Sequence, residues 1–255
     1  MTRSIVAAVG VALLVGACDS RRAPAAPDSL GEPTPGSQPA TRVLMVTTTA
    51  GFRHDSIPVA QQVMTTLATS TREFTVTTTE QLTSLEAASL SGYDVLFFAL
   101  TSGELPLSDA QKSAVIEFVE RGGGFLGVHS ATDTLYDWPA YGRLVGAYFR
   151  EHPWTQEASV IVEDGSHPAT AGLGPSFRLN EEFYTFRDNP RSRVQVLLRL
   201  DPASVGATGD FPLAWAQAVG AGRAYYNALG HFSSTWTDQR FQRQLTGAIR
   251  WLGRR

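Results

Sequence analysis

The stretch GGGFLGVHSATDT, residues 122–134, is the most informative part of the chain for its fold. A helix-like segment ends in three glycines, and a short apolar run from Phe125 to Val128 then stops at His129. This pattern is typical of a buried parallel strand that ends at the edge of a sheet. Ligands of open α/β proteins bind just beyond the carboxyl ends of such strands. His129 is therefore a candidate for proton transfer or metal ligation.

Strand-like and helix-like segments alternate on the amino-terminal side of this stretch. Apolar or alternating runs over 42–49, 73–80 and 94–101 predict three earlier strands, separated by helix-like segments. The second half is less regular and includes a hairpin-like pair that turns near residues 220–222. The alternation predicts an α/β fold with a mostly parallel sheet and helices on both faces.

Composition agrees with one sizeable α/β domain. The 255 residues are 43% hydrophobic and 18% charged, which is enough apolar content to bury a large core. The formal net charge is −3, and the basic residues do not form a cluster. We therefore expect no nucleic-acid partner.

The amino terminus resembles a lipoprotein signal peptide, predicted to span residues 1–17. Arg3 precedes an apolar run over 5–15 that is too short for a comfortable membrane span. The run closes on the sequence VGAC, which resembles a bacterial lipobox and implies export, cleavage before Cys18 and lipidation of that residue. The alternatives are an ordinary secretory signal with an incidental Cys18, and a cytosolic protein.

Three regions follow from this interpretation: the signal peptide 1–17, a Pro/Ala-rich tether 18–41 and a folded domain 42–255. The expected location is the cell envelope, with the domain anchored to a membrane through its lipid and facing the periplasm. Cys18 is the only cysteine, so the chain has no internal disulfide and the folded domain has no thiol nucleophile.

The five histidines all lie at turns or strand ends. His54, His129 and His231 each follow an apparent strand, and parallel strands would bring them to one edge of the sheet. Two chemistries suit imidazoles at such an edge. One is general acid–base catalysis on a sugar, and the other is ligation of a metal together with carboxylates. No HxH or HExxH spacing supports the metal.

Several blocks of the folded region resemble, in order, the ThuA-like (trehalose utilisation) family. They are GFRHDSI, GGGFLGVHSATDT, YGRLVGAYFREHP, HPATAGL, EEFYTF and PLAW followed by GAGRAYYNALGH. The resemblance covers about 42–255 and implies a class I glutamine amidotransferase-like fold, which is a flavodoxin-like three-layer α/β sandwich. It also implies a role in the metabolism of trehalose-like disaccharides or keto-sugars.

The amidotransferase relation excludes one reaction. Those enzymes carry a nucleophilic cysteine at the turn after the fourth strand, where this chain has His129, and a catalytic histidine after a late strand, where it has His231. Without a thiol, cysteine-based glutamine hydrolysis is excluded. Ser130 is either a replacement nucleophile or a turn residue. Glu181 and Glu182 are either a solvated acidic pair or a source of one functional carboxylate, and the resemblance favours Glu182.

These arguments give a defined set of site residues. The predicted catalytic residues are His129, His231 and Glu182. The predicted substrate-binding residues are Arg53, His54, Asp55, Ser130, Asp133, His152, Tyr184, Trp138 and Trp236. A divalent metal, zinc or manganese, is a candidate cofactor, with His54, His129 and His152 as ligands.

The sequence favours a lipid-anchored enzyme that performs acid–base or metal-assisted chemistry on a sugar. Its expected partners are a carbohydrate ligand and the membrane. One alternative is a non-catalytic carbohydrate-binding or interaction module that retains the amidotransferase-like fold. Another is a subunit that binds partner proteins of a sugar-oxidising system.

Overall fold

The structure is a computed structural model that describes residues 40–253. The predicted signal peptide 1–17 lies outside the described residues, as does the predicted tether 18–41 apart from its last two residues. Thr41, the second of these, already begins the first strand. Within the described range, no helix has the length and apolar character needed to cross a membrane.

Nine strands and six helices make up the described part of the chain. The strands are β1 Thr41–Val46, β2 Phe74–Thr79, β3 Val95–Ala99, β4 Gly124–Val128, β5 Phe149–Val162, β6 Ser176–Phe186, β7 Gln195–Leu200, β8 Pro212–Val219 and β9 Gly222–Asn227. The helices are α1 Ile57–Thr71, α2 Ala87–Leu90, α3 Asp109–Glu120, α4 Pro139–Val145, α5 Ser233–Thr237 and α6 Gln239–Leu252.

The strands form a single mixed sheet in the order β2-β1-β3-β4-β9-β8-β7-β5-β6. Pairing is parallel from β2 to β9 and antiparallel from β9 to β6. The prediction of an α/β fold is confirmed, whereas a mostly parallel sheet is not, because half of the strand pairs are antiparallel. The reason is the connections: β8 and β9 are joined by a tight turn, and only crossover connections make neighbouring strands parallel.

Helices lie on both faces of the parallel half. Successive residues of a strand point to opposite faces of the sheet. A side chain at Gly124 would meet Leu252 of α6 at 2.7 Å, whereas the ring of Phe125 packs 5.9 Å from that of Tyr141 in α4. The helices α4 and α6 therefore cover opposite faces of β4.

The longest strand, β5, is irregular. This strand has 14 residues, and its register with β6 shifts between Phe149 and Glu151 and again between Glu151 and Trp154. Such bulges bend a strand and increase its twist. Although β6 is the last strand of the sheet, the bent β5–β6 hairpin brings Glu182 of β6 next to His129 at the end of β4.

Gly222 begins β9 where two backbone segments meet. A Cβ there would lie 2.0 Å from the carbonyl oxygen of Val119 and 2.3 Å from that of Gly123. We expect Gly222→Ala to lower the free energy of unfolding by about 1–3 kcal/mol, because the backbone at Val119 and Gly123 must shift to admit the methyl group. Gly165→Ala is the matched control, since a Cβ there would lie 4.0 Å from Val162, at ordinary van der Waals distance. Equal urea midpoints for the two variants would contradict this packing.

Candidate active site at the carboxyl edge of the parallel strands

Three histidines converge at one edge of the parallel strands. His54 lies in the loop after β1, His129 directly follows β4, and His231 follows β9. Glu182 joins them from β6. One ligand atom from each of these four residues lies within 4.8 Å of all the others.

The backbone turns sharply at His129, and its ring is fixed in one tautomer. Its φ is +52°, in the left-handed region, which is costly for a residue with a Cβ and is found mostly where function requires it. The ring is fully buried, and its Nδ1 lies 2.8 Å from the carbonyl oxygen of Ala228. Because a carbonyl oxygen can only accept, Nδ1 of His129 carries a proton, and Nε2 faces the rest of the cluster.

Three polar groups surround Nε2 of His129. The hydroxyl of Tyr184 lies at 2.9 Å, Nδ1 of His231 at 3.3 Å and Oε2 of Glu182 at 3.5 Å. Burial raises the pKa of Tyr184 well above its ordinary value, so its phenol keeps its proton and can donate to Nε2. Nε2 of His129 therefore faces a hydroxyl group, a second imidazole and a carboxylate.

Glu182 is the charged centre of the cluster. Burial alone would raise its pKa, but hydrogen bonding and attraction to His129 and His231 outweigh burial and hold the pKa well below its usual range. Its Oε2 lies 3.1 Å from Nδ1 of His231, and its Oε1 lies 3.3 Å from Nδ1 of His152. Glu182 is therefore a carboxylate near neutral pH.

The two outer imidazoles respond to this environment in opposite ways. Burial, reinforced by His129 and His231, lowers the pKa of His54 to about 3, so His54 is neutral at physiological pH. Burial also lowers the pKa of His231, but the hydrogen bond and attraction to Glu182 outweigh burial. The charges of Glu181 and Asp55 act in the same direction as Glu182, so the pKa of His231 rises. A neutral and a more basic imidazole thus lie side by side, their ring centres 5.1 Å apart.

A cavity of about 250 Å³ opens onto the cluster. Its lining combines aromatic and polar side chains: Phe52, His54, Asp133, Phe149, His152, Glu182, Tyr184 and His231. Burial raises the pKa of Asp133 even though the hydroxyl of Tyr136 donates to it at 2.7 Å. The cavity therefore offers a ligand apolar walls, a carboxyl group and the imidazole–carboxylate cluster together.

Comparison with known proteins identifies the family. The family model described as trehalose utilisation, ThuA, matches residues 42–252. The chain belongs to the ThuA family. Membership associates the chain with carbohydrate utilisation at the level of the family, and the predicted resemblance is confirmed. No curated protein sequence matches the chain significantly.

Solved structures share the ThuA-family fold. A protein described as ThuA-like from Bacteroides uniformis ATCC 8492 is 26% identical, with a TM-score of 0.72 over 87% of this chain and 95% of that one. Another from Parabacteroides merdae ATCC 43184 is 18% identical, with a TM-score of 0.69 over 84% and 90%. An exo-β-1,4-mannosidase from Opitutaceae bacterium strain TAV5 is 18% identical, with a TM-score of 0.53 over 84% of this chain and 36% of that one. The two likenesses at 18% show the fold alone.

Most of the predicted site residues of this ThuA-family chain lie in or beside the cavity. Ser130 is buried, with its Oγ 3.5 Å from Nδ1 of His54. Asp55 is exposed and acts on His231 through its charge. The compact donor group differs from the predicted ligand set, because it contains His231 and Glu182 in place of His152. The exposed His152 instead contacts the other oxygen of Glu182.

Five predicted substrate-binding residues do not line the cavity: Asp55 and Ser130, which lie beside it, and Arg53, Trp138 and Trp236. Arg53 is exposed and pairs with Glu80 at 2.7 Å. Trp138 stacks on Tyr141 and lines a different cavity beside α3. The prediction that Trp236 offers a face to a sugar is wrong, because its ring is fully buried and its indole N–H donates to the carbonyl of Gly230 at 2.8 Å.

Glu181 has a structural role that sequence analysis did not assign. Its side chain is fully buried, which excludes the solvated acidic pair. Its carboxylate accepts from the backbone N–H of Gly230 at 2.9 Å and of His231 at 3.1 Å, and from the hydroxyl of Thr235 at 2.6 Å. It also accepts from the N–H of Glu182 at 2.9 Å. Glu181 thus ties His231 to the strand that carries Glu182, a role for which the sequence carries no local signal.

Proposed function

We propose that the chain is a carbohydrate-active enzyme in which His54, His129, His231 and Glu182 bind a divalent transition metal. The observation that carries this proposal is the approach of their four ligand atoms to within 4.8 Å of one another. Imidazole nitrogens and a carboxylate are ligands that zinc, manganese and iron accept. The carbohydrate substrate is supported by the ThuA family, which is described by its role in trehalose utilisation.

The hydrogen bonds around the cluster support metal binding. Histidines that bind metals usually donate their other ring N–H to a carbonyl or carboxylate, which fixes the tautomer and the orientation of the ring. His129 has this arrangement, with Nδ1–H on Ala228 and Nε2 directed at the cluster. His54 is neutral and Glu182 is ionised, so both are in the protonation state that a ligand needs.

The cavity supplies groups that could act on a bound sugar. A metal at this position would act as a Lewis acid toward a carbonyl or hydroxyl oxygen of the sugar. Asp133 faces the same cavity, and burial raises its pKa, so it holds a proton more readily than a carboxyl group in water. The phenol of Tyr184 is a further donor. The reaction class that these groups support is proton transfer next to a keto-sugar carbonyl, or hydrolysis.

One observation favours a second candidate, acid–base catalysis without a metal. Nδ1 of His231 lies 3.1 Å from Glu182, whose attraction outweighs burial and raises the pKa of His231, and Nε2 of His129 lies 3.3 Å away. Two imidazoles in contact, one of them made more basic by a carboxylate, can serve as an acid and a base at one place.

Removing the metal distinguishes metal-assisted chemistry from acid–base catalysis without a metal. We expect the full-length protein to contain about one zinc, manganese or iron per chain by elemental analysis. A chelator should abolish turnover of trehalose, maltose or their 3-keto derivatives, and the same metal should restore it. Full turnover by metal-free protein would support acid–base catalysis instead. Saturable sugar binding without product, with or without metal, would support a non-catalytic binding module.

We also propose that the protein is exported and anchored through a lipid on Cys18, facing the periplasm. The support is the sequence of residues 1–18 alone. Mass spectrometry of the protein from membranes should find an amino-terminal Cys18 carrying acyl chains. An unmodified Met1 would contradict the proposal.

The finer description of the fold is part of the same proposal. We propose a class I glutamine amidotransferase-like sandwich, supported by the parallel order β2-β1-β3-β4-β9 and by helices on both faces. The left-handed turn at His129 has the strand-to-turn geometry of a nucleophile elbow. Here that position holds an imidazole.

A further inference from the structure

Phe52 exposes its ring to solvent at the rim of the active-site cavity. Among residues 40–253, it is the large hydrophobic side chain that stands out by its exposure, at 64%. It lines the same cavity as Glu182 and His231. Its ring meets that of His54 edge-on, at 83° and 4.8 Å between centres. A single exposed apolar residue is unremarkable on an ordinary surface, but this one stands at the opening of a polar site.

The backbone around Phe52 is held firmly, so the position of the ring is imposed by the fold. The hydroxyl of Ser102 donates to the carbonyl of Phe52 at 2.5 Å. The N–H groups of Ala50 and Gly51 donate to the carbonyl of Ser102 at 2.8 and 3.2 Å. The two loops also approach closely, since a Cβ on Gly103 would lie 2.6 Å from the nitrogen of Gly51. The loop from β3 thus anchors the loop that carries Phe52.

The exposed part of the Phe52 ring does not stabilise the folded protein. Burying a phenylalanine side chain contributes about 1.5–3 kcal/mol, and Phe52 forgoes most of that contribution. A ligand that covers the ring would recover it on binding. The occupant at this rim must therefore present an apolar face while its other groups meet the polar cavity.

The size of the cavity indicates where such a ligand would lie. Its volume of about 250 Å³ is below the range of roughly 300–1,000 Å³ of pockets that enclose drug-sized ligands. It therefore suits one sugar ring, and the second ring of a disaccharide would lie at the opening, beside Phe52. The C–H face of a sugar ring is apolar, while its hydroxyls at the edge remain free for water.

We propose that Phe52 is a stacking platform for the second ring of a disaccharide whose first ring occupies the cavity. This inference rests on the proposed carbohydrate function. It adds a binding residue that acts on the part of the substrate remote from the His–Glu cluster. Phe52 holds none of the four ligand atoms, so it influences affinity for the sugar without influencing the metal.

The test compares Phe52→Ala with Phe52→Trp by calorimetry, using trehalose, maltose and glucose as probes. We expect Phe52→Ala to raise the Kd of a bound disaccharide about 10-fold, which corresponds to about 1.4 kcal/mol, and to change the Kd of glucose less than about twofold. Phe52→Trp keeps an aromatic face and should retain disaccharide binding. Elemental analysis should find the same metal content in both variants and the wild type.

The outcomes separate this inference from the proposed function. If wild-type protein binds and turns over a disaccharide and Phe52→Ala does so with unchanged Kd, the platform is refuted and the proposed function stands. The platform is also refuted, and the proposed function stands, if Phe52→Ala raises the Kd of glucose and of the disaccharide by the same factor. If wild-type protein binds none of the three sugars, the platform for these disaccharides is refuted, and the proposed function is refuted as well only if the 3-keto derivatives are not turned over.

Discussion

Replacing His129 by alanine is expected to remove the metal and to lower disaccharide turnover at least about 100-fold. His129 is the most firmly held of the proposed ligands, because its ring is fully buried and its Nδ1–H is fixed on the carbonyl of Ala228. Loss of a group that only orients a ligand typically costs 10–100-fold in metal affinity or activity, so loss of the ligand itself should cost at least as much. Elemental analysis and steady-state kinetics on the same preparation measure both effects.

His152→Ala is the matched control for this experiment. His152 also contacts Glu182, at 3.3 Å, but it is exposed and lies outside the compact donor group. We expect this variant to retain its metal. If His129→Ala kept a full complement of metal, or if both variants lost it equally, the assignment of His129 as a ligand would be wrong. Circular dichroism establishes that both variants are folded.

Replacing Glu181 by alanine should have the largest effect on stability. The change leaves the N–H groups of Gly230 and His231 and the hydroxyl of Thr235 without their acceptor in a buried region. Leaving a buried donor without its acceptor costs about 1–3 kcal/mol, so the loss of an acceptor shared by several buried donors should lower the free energy of unfolding by at least about 3 kcal/mol. The metal affinity should fall as well, since the backbone that carries His231 is released. Urea denaturation and a metal titration measure the two effects.

Two further variants keep the Glu181 prediction testable if Glu181→Ala does not fold. Thr235→Val removes one of the donors to the carboxylate and should cost about 1–2 kcal/mol, with the rest of the network intact. Glu157→Ala is the control for losing a carboxylate, because Glu157 is exposed on β5 and pairs with Arg178 on the surface. It should change stability by less than about 1 kcal/mol. Equal effects of Glu181→Ala and Glu157→Ala would contradict a network role for Glu181.

Local patterns in the sequence were sufficient to predict the strands of the parallel half of the fold. The apolar run that ends at His129 is a strand, β4, because a short apolar segment between glycines and a polar residue is typical of a buried strand. The ends of β1, β4 and β9 meet at one edge because the three strands are parallel neighbours or nearly so. This is why strand-end positions alone indicated His54, His129 and His231 as a group.

Other residues could not be placed from local patterns. Trp236 and an exposed tryptophan look the same in a sequence, and only packing buries the ring against Phe241 and the turn at Gly230. Phe52 illustrates the converse, since a phenylalanine in a glycine-containing loop gives no sign that its ring remains in solvent. Local patterns do not distinguish the neighbouring acids Glu181 and Glu182, and only the family resemblance favours Glu182. In the structure, Glu181 holds the backbone of His231 and Glu182 contacts its ring.

The sequence by itself determined the family, the α/β class and the three histidines at the strand edge, because these depend on local hydrophobic patterns and on motifs that are contiguous in the chain. The tertiary structure decided that Glu182 completes the cluster and that His152 remains outside the compact donor group. Glu182 lies on the last strand of the sheet, yet its carboxylate reaches His129 at the end of β4, 53 residues earlier in the chain. Contacts between segments so distant along the chain depend on the path of the whole backbone, which no local pattern of residues specifies.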